Sequence, residues 1–166
     1  VWDLGTGSGA IAVTVALERV DADVRASDIS VGALDTARQN AAELGAKVEF
    51  AQGSWFDTDR PSEGRYDVIV SNPPYIESGD EHLSQGDLRF EPQNALTDFS
   101  DGLSHIRHIT QEAPKYLKAN GWLLFEHGYD QGEAVRNIML ENGFVEVATE
   151  QDLAGLDRVT LGRLPA

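Results

Sequence analysis

The sequence predicts a doubly wound α/β domain, a mostly parallel sheet of seven strands covered by helices on both faces. Three observations point there. Short apolar runs alternate with segments of helical period along most of the chain. A glycine-rich turn, Gly5-Thr6-Gly7-Ser8-Gly9, joins the first strand to the first helix. The last two strand-like segments are separated only by a polar turn, which predicts an antiparallel hairpin at the sheet edge.

Residues 1–4 read as the first strand and residues 9–18 as a helix, with context deciding its β-branched run. Residues 24–27 form a second strand ending at Asp28. Ser30 then caps a helix in which Val31, Leu34, Ala37, Ala41 and Leu44 share one face before Gly45 closes it. Residues 47–51 alternate as a third strand, and residues 66–71 are apolar enough to be a central fourth. Residues 76–101 are polar and are expected to form a long functional loop or hairpin. Ile106, Ile109, Ala113, Tyr116 and Leu117 mark a helix over residues 104–118, and residues 121–125 a fifth strand. Asp130 and Glu133 resemble a capping box for a helix that carries Val135, Ile138 and Met139 and stops near Gly143. Residues 144–148 and 158–163 complete the hairpin.

With 166 residues the chain suits one domain, and no apolar run reaches the ~18 residues of a membrane span. No basic-then-apolar leader precedes the first strand, so a cytoplasmic protein with no membrane association is expected, as a monomer. Because the chain opens inside a core strand, a fragment of a longer protein is expected. There is no Cys, which excludes disulfides and thiolate metal sites. His82, His105 and His108 have no metal-like partners in sequence, so no metal is expected. The formal net charge is -15 and the basic residues are scattered, which weighs against direct nucleic-acid binding and toward a protein or small-molecule partner.

The glycine turn lets backbone N–H groups approach a ligand closely, and Asp28 lies about twenty residues on, where a carboxylate can accept from both ribose hydroxyls of an adenosine. Gly5-x-Gly7-x-x-Ala10 also satisfies the dinucleotide fingerprint, so a nicotinamide-binding domain without methyl-transfer activity is one alternative. Asp3 argues otherwise: a carboxylate ahead of the glycines repels a pyrophosphate but can hold an amino-acid ammonium. Trp55 or Phe56 can cover an adenine face, with Ser54 among the polar groups near its edge, or either ring can plug the core.

Ser71-Asn72-Pro73-Pro74-Tyr75 ends the fourth strand. Two prolines remove two backbone donors and fix two φ angles, so the chain leaves the sheet as a stiff spur. An amide or exocyclic amino nitrogen is a poor nucleophile because its lone pair is delocalised. Held by two acceptors, the Asn72 side-chain oxygen and the Pro73 carbonyl, it can pyramidalise toward an electrophile. Tyr75 can stack on the planar group or face a positive sulfonium.

These segments resemble the HemK/PrmC release-factor glutamine methyltransferases. The likeness rests on the Asp3 to Gly9 loop, Asp28, Gly53-Ser54-Trp55-Phe56 and Ser71-Asn72-Pro73-Pro74-Tyr75-Ile76. It extends to Gln85-Gly86-Asp87-Leu88-Arg89-Phe90-Glu91-Pro92, Phe125-Glu126-His127-Gly128, Gln131 to Arg136 and Asp157 to Arg163. The resemblance implies that residues 1–166 are a Rossmann-like class I S-adenosylmethionine-dependent methyltransferase catalytic domain. S-adenosyl-L-methionine is the implied cofactor and S-adenosyl-L-homocysteine the product, with contacts at Gly5, Thr6, Gly7, Ser8, Gly9, Asp28, Trp55 and Asn72. Asn72, Pro73, Pro74 and Tyr75 would bind the substrate amide. That amide is the glutamine of the Gly-Gly-Gln motif in class-1 peptide chain release factors. The family's N-terminal helical domain, which helps engage the release factor, is not within these residues. Asn-Pro-Pro-Tyr is shared with enzymes that methylate adenine N6 or guanine N2 in DNA or RNA; residues 85–92 and 125–136 favour the glutamine enzymes. The resemblance assigns no role to Trp2, Glu126, His127, Arg89 or Glu91.

Overall fold

A computed structural model describes residues 1–59, 66–74 and 101–166. Strands β1 (Trp2–Leu4), β2 (Arg25–Asp28), β3 (Glu49–Gln52), β4 (Tyr66–Ser71) and β5 (Leu117–Glu126) run parallel. Helices α1 (Ala10–Glu18), α2 (Val31–Leu44), α3 (Ser104–Glu112) and α4 (Gly132–Glu141) lie between and after them, and β6 (Val145–Gln151) and β7 (Asp157–Arg163) follow as an antiparallel hairpin. Hydrogen bonding orders one seven-stranded sheet as β3-β2-β1-β4-β5-β7-β6. The order reverses between β1 and β4, where open α/β sheets place ligands beyond the carboxyl ends of their strands. Among the described residues no helix is long and apolar enough to cross a membrane.

Trp2 anchors the core. Its side chain is fully buried, its Nε1 donates to Ser27 Oγ at 3.0 Å, and its ring meets Tyr66 at 4.8 Å and Phe56 edge-on at 5.5 Å. The Arg25 guanidinium lies 5.5 Å from the indole centroid. The bulky first-strand residue is therefore a packing residue with its polar atom satisfied. Leu4, Ile69, Leu123, Phe125, Ile106 and Ile109 complete this cluster between the sheet and the α3–α4 layer.

Several boundaries depart from the sequence expectation. Ser30 does cap α2, accepting from Ala33 N at 3.2 Å, and Gly45 ends it at φ 72°. Only Leu34, Ala37 and Ala41 of its predicted face are buried, however; Val31 and Leu44 are exposed. The helix expected over 104–118 stops at Glu112 and tightens into a 3-10 turn, Ala113–Lys115. Pro114 supplies no N–H for the α-helical ladder. Strand β5 consequently begins at Leu117, with Asn120 in the left-handed region at φ 64° where its ladder with β4 is irregular. Asp130 does not cap α4; Gln131 holds that position, and no side chain caps the helix. The long loop expected over 76–101 lies, apart from Asp101, outside the described residues.

Candidate active site

The turn after β1 is held from below. Gly5 N and Thr6 N both donate to the Ser27 carbonyl, at 2.9 and 3.0 Å. Gly5, Gly7 and Gly9 all have positive φ, but the two outer glycines face neighbours while Gly7 does not. A Cβ on Gly9 would lie 3.0 Å from Ala37 Cβ, so this glycine lets α1 pack on α2. A Cβ on Gly7 would meet nothing within 4 Å among the described residues, so its open side is where a ligand can approach.

Asp3 sits beneath the turn at 1% exposure. Its Oδ2 accepts from Thr6 Oγ1 at 2.6 Å and from Ala12 N at 3.2 Å, while Oδ1 has no partner among the described residues. Burial pushes its carboxyl up to about 6, against the opposing pull of the Thr6 and Ala12 bonds. A buried carboxylate oxygen in this position can accept from a water or from a cationic group. Asp28 is half-buried at the end of β2. Its Oδ2 accepts from Gly7 N at 2.9 Å and its Oδ1 from Ser30 N at 2.8 Å, which fixes the carboxylate and leaves each oxygen a second lone pair.

The two aromatics after β3 stand in different surroundings. Phe56 is the core plug, stacked on Tyr116 with centroids 4.5 Å apart. Trp55 is partly buried and stands against the glycine turn, where a Cβ on Gly5 would come within 3.2 Å of its Cζ3. Its ring lies 5.1 Å from His105, and its backbone is left-handed at φ 43°, a strained state for an aromatic residue. Ser54 is also partly buried, beside it.

At the adjacent strand, Ser71 Oγ donates to Leu4 O at 2.7 Å, tying the end of β4 to the end of β1. Asn72 beyond it is exposed, Pro73 buried and Pro74 partly buried. Tyr75, Arg89, Glu91 and His82 lie outside the described residues.

His127, after β5, has no exposed surface. Its Nδ1 donates to the Gly128 carbonyl at 2.8 Å, so Nε2 accepts from Thr160 Oγ1 at 2.8 Å. Thr160 accepts in turn from Thr149 Oγ1 at 2.8 Å, and Thr149 from Arg136 Nη1 at 2.6 Å. Burial pushes the imidazole down, keeping it neutral. His127 thus holds a turn. Arg158, at the start of β7, donates to the His127 carbonyl at 3.3 Å and to Asp152 at 3.4 Å. Sequence reasoning missed this network because its partners lie far apart in the chain. Glu126 is partly buried and His108 exposed. Among the described residues no group of three metal-ligating side chains converges.

This sheet order, with a reversed terminal hairpin, a glycine turn after β1 and an acidic residue ending β2, defines the methyltransferase class of α/β folds. Solved structures agree. A methyltransferase from Pyrococcus furiosus superimposes with a TM-score of 0.74 at 17% identity, covering 99% of this chain and 74% of that one. A Thermus thermophilus 16S rRNA N2 G1207 methyltransferase, solved with AdoMet and guanosine, gives 0.67 at 18% identity, over 98% of this chain and 36% of that one.

The methyltransferase small domain family model matches residues 1–89, and the chain belongs to that family. Its curated relatives include proteins named release factor glutamine methyltransferase from Neisseria gonorrhoeae (74% identical over 98% of this chain), Xylella fastidiosa strain 9a5c (53%, over 99%) and Vibrio cholerae (52%, over 97%). These matches bear out the resemblance read from the sequence. The chain spans 60%, 60% and 56% of those relatives' lengths.

Proposed function

We propose that this chain is the catalytic domain of an enzyme that methylates the side-chain nitrogen of the glutamine in the Gly-Gly-Gln motif of class-1 release factors, using S-adenosyl-L-methionine. The observation that carries this reading is a juxtaposition. The glycine turn and the Asn72-Pro73 corner leave the sheet from hydrogen-bonded neighbours, with Leu4 paired to Ser71. The curated relatives' names support a release-factor glutamine as the substrate. The orphaned Asp3 oxygen and the open face of Gly7 fit a ligand with an ammonium and a close-packed backbone contact.

When bound, the cofactor supplies a methyl group on a cationic sulfur that leaves as a neutral thioether. The chain's residues do the positioning, an effect worth up to about 7–11 kcal/mol in favourable cases. Gly5, Thr6, Gly7, Ser8 and Gly9 line the cofactor, Asp3 holds its ammonium and Asp28 its ribose hydroxyls. Trp55 and Ser54 border the adenine. The Asn72 side-chain oxygen and the Pro73 carbonyl accept the two amide N–H bonds, which frees the nitrogen lone pair for attack. Pro74 stiffens the corner, and Tyr75 stacks on the acceptor plane. We take the enzyme to act in the cytoplasm as a monomer, without direct contact to nucleic acid, in keeping with its net charge of -15.

The test incubates full-length enzyme and radiolabelled S-adenosylmethionine with release factor, its Gln→Ala loop variant, and DNA or RNA. Label is expected in wild-type release factor alone. Label in nucleic acid instead would establish the exocyclic-amine reading, and binding of NAD with no response to S-adenosylhomocysteine the nicotinamide reading.

A further inference from the structure

The catalytic edge of the sheet carries a second feature that the proposed chemistry does not use. The turn between β5 and α4 and the tip of the β6–β7 hairpin lie side by side there, since Glu126 pairs with Val159 and Phe125 with both Ser71 and Thr160. The two segments are locked together. Arg158 donates to Asp152 in the hairpin tip and to the His127 carbonyl in the turn, and His127 N donates back to Arg158 O at 3.0 Å.

Each segment is also closed on itself. Asp152 Oδ1 accepts from Ala154 N and Leu156 N, at 2.9 and 3.1 Å. Gln131 Oε1 accepts from Gly128 N at 2.9 Å, and Gln131 N donates to Gly128 O at 3.0 Å. On this rigid base stand three apolar side chains facing water: Leu153 at 110% exposure, Tyr129 at 61% and Leu156 at 44%. A backbone already held stiff needs no further ordering when a partner covers it, so only the side-chain rotamers lose freedom.

We propose that Tyr129, Leu153 and Leu156 form a docking rim for the folded acceptor protein, binding an apolar patch flanked by Lys or Arg beside the Asn72-Pro73 corner. The inference rests on the proposed function and adds to it the surface that recognises the substrate. Charge selects the occupant. Exposed Asp130, Glu133 and Glu150 lie within four residues of these side chains along the chain, while the nearby cations among the described residues, Arg136 and Arg158, are already bonded within the domain. An acidic border around an apolar centre complements a basic border on the partner.

The test uses full-length enzyme with S-adenosylmethionine and unmethylated release factor. In the Leu153→Ser/Leu156→Ser and Tyr129→Ser variants, KM for release factor is expected to rise about tenfold or more, with kcat at saturation and calorimetric affinity for S-adenosylhomocysteine within about twofold. Asp130→Lys with Glu150→Lys should also raise KM and weaken its salt dependence. Leu17→Ser with Val20→Ser, at the opposite edge of the sheet, should leave KM unchanged. Unchanged KM in the rim variants overturns the proposal, as does an equal rise in the opposite-edge control. A parent dimer in sedimentation that the rim variants dissolve would also overturn it, by making the rim a self-interface. Failure of the parent enzyme to label release factor removes the proposed function and the rim's occupant together; labelling with an unmoved KM removes the rim alone.

Discussion

Burying a carboxylate with one oxygen left unbonded is costly, and Asp3 carries that cost beneath the glycine turn. Its folded pKa of about 6 lies above the usual 3.8. The folded state therefore prefers the protonated form, and Asp3 adds stability as pH falls from about 6 toward about 4. The full effect is about 3 kcal/mol. Urea melts across this range should show that slope, and Asp3→Asn should flatten it. Cofactor affinity should run the other way, because an ammonium needs the ionised carboxylate. Calorimetry should find it rising with pH through about 6 and level above. Gly9→Ala should cost at least about 1–2 kcal/mol by forcing a left-handed Cβ against Ala37. Gly7→Ala pays the same backbone strain without the clash, and loses cofactor affinity by more than about tenfold because its methyl fills the open face. Asn72→Ala should leave cofactor affinity within about tenfold while cutting turnover by about 10²-fold or more, readable from single-turnover kinetics.

Among the elements, the network from Arg136 to Gly128 has His127 at its centre, and every donor along it points the same way. His127→Ala removes an acceptor from Thr160 and a donor from Gly128 and opens a cavity, so a loss of about 3 kcal/mol or more is expected by chemical denaturation. Because burial lowers the imidazole pKa below 6.5, its contribution is present above that pH and lost below it, opposite in sign to that of Asp3. The strands and the Ser30 and Gly45 ends of α2 were legible because local pattern and capping chemistry decide them. The end of α3 was not. Ala113, Tyr116 and Leu117 are all buried in the core cluster, so their spacing imitated a continuing helix across the break at Pro114. Gln131 took the N-cap from Asp130, and only the folded turn, with its Gly128 bond, explains why. The candidate site was legible where one short segment defines it, as at residues 3–9 and 71–74. The Ser71 bond to Leu4, 67 residues away, and the His105 contact with Trp55 needed the fold.

At the scale of the whole molecule, the reversal of strand order between β1 and β4 brings the two most readable motifs to one crevice. The net charge of -15 is the whole-molecule counterpart of the basic partner proposed above. The three tryptophans sample three settings of this architecture. Trp2 is sealed and hydrogen-bonded, Trp122 lies partly exposed on β5, and Trp55 lies against the glycine turn with the His105 imidazole 5.1 Å away. Emission from Trp55 should therefore respond to S-adenosylhomocysteine in a fluorescence titration, and Trp55→Phe should abolish the response while the signal from Trp2 persists. With that response, one indole would give the domain its own optical gauge of occupancy, with no dye attached.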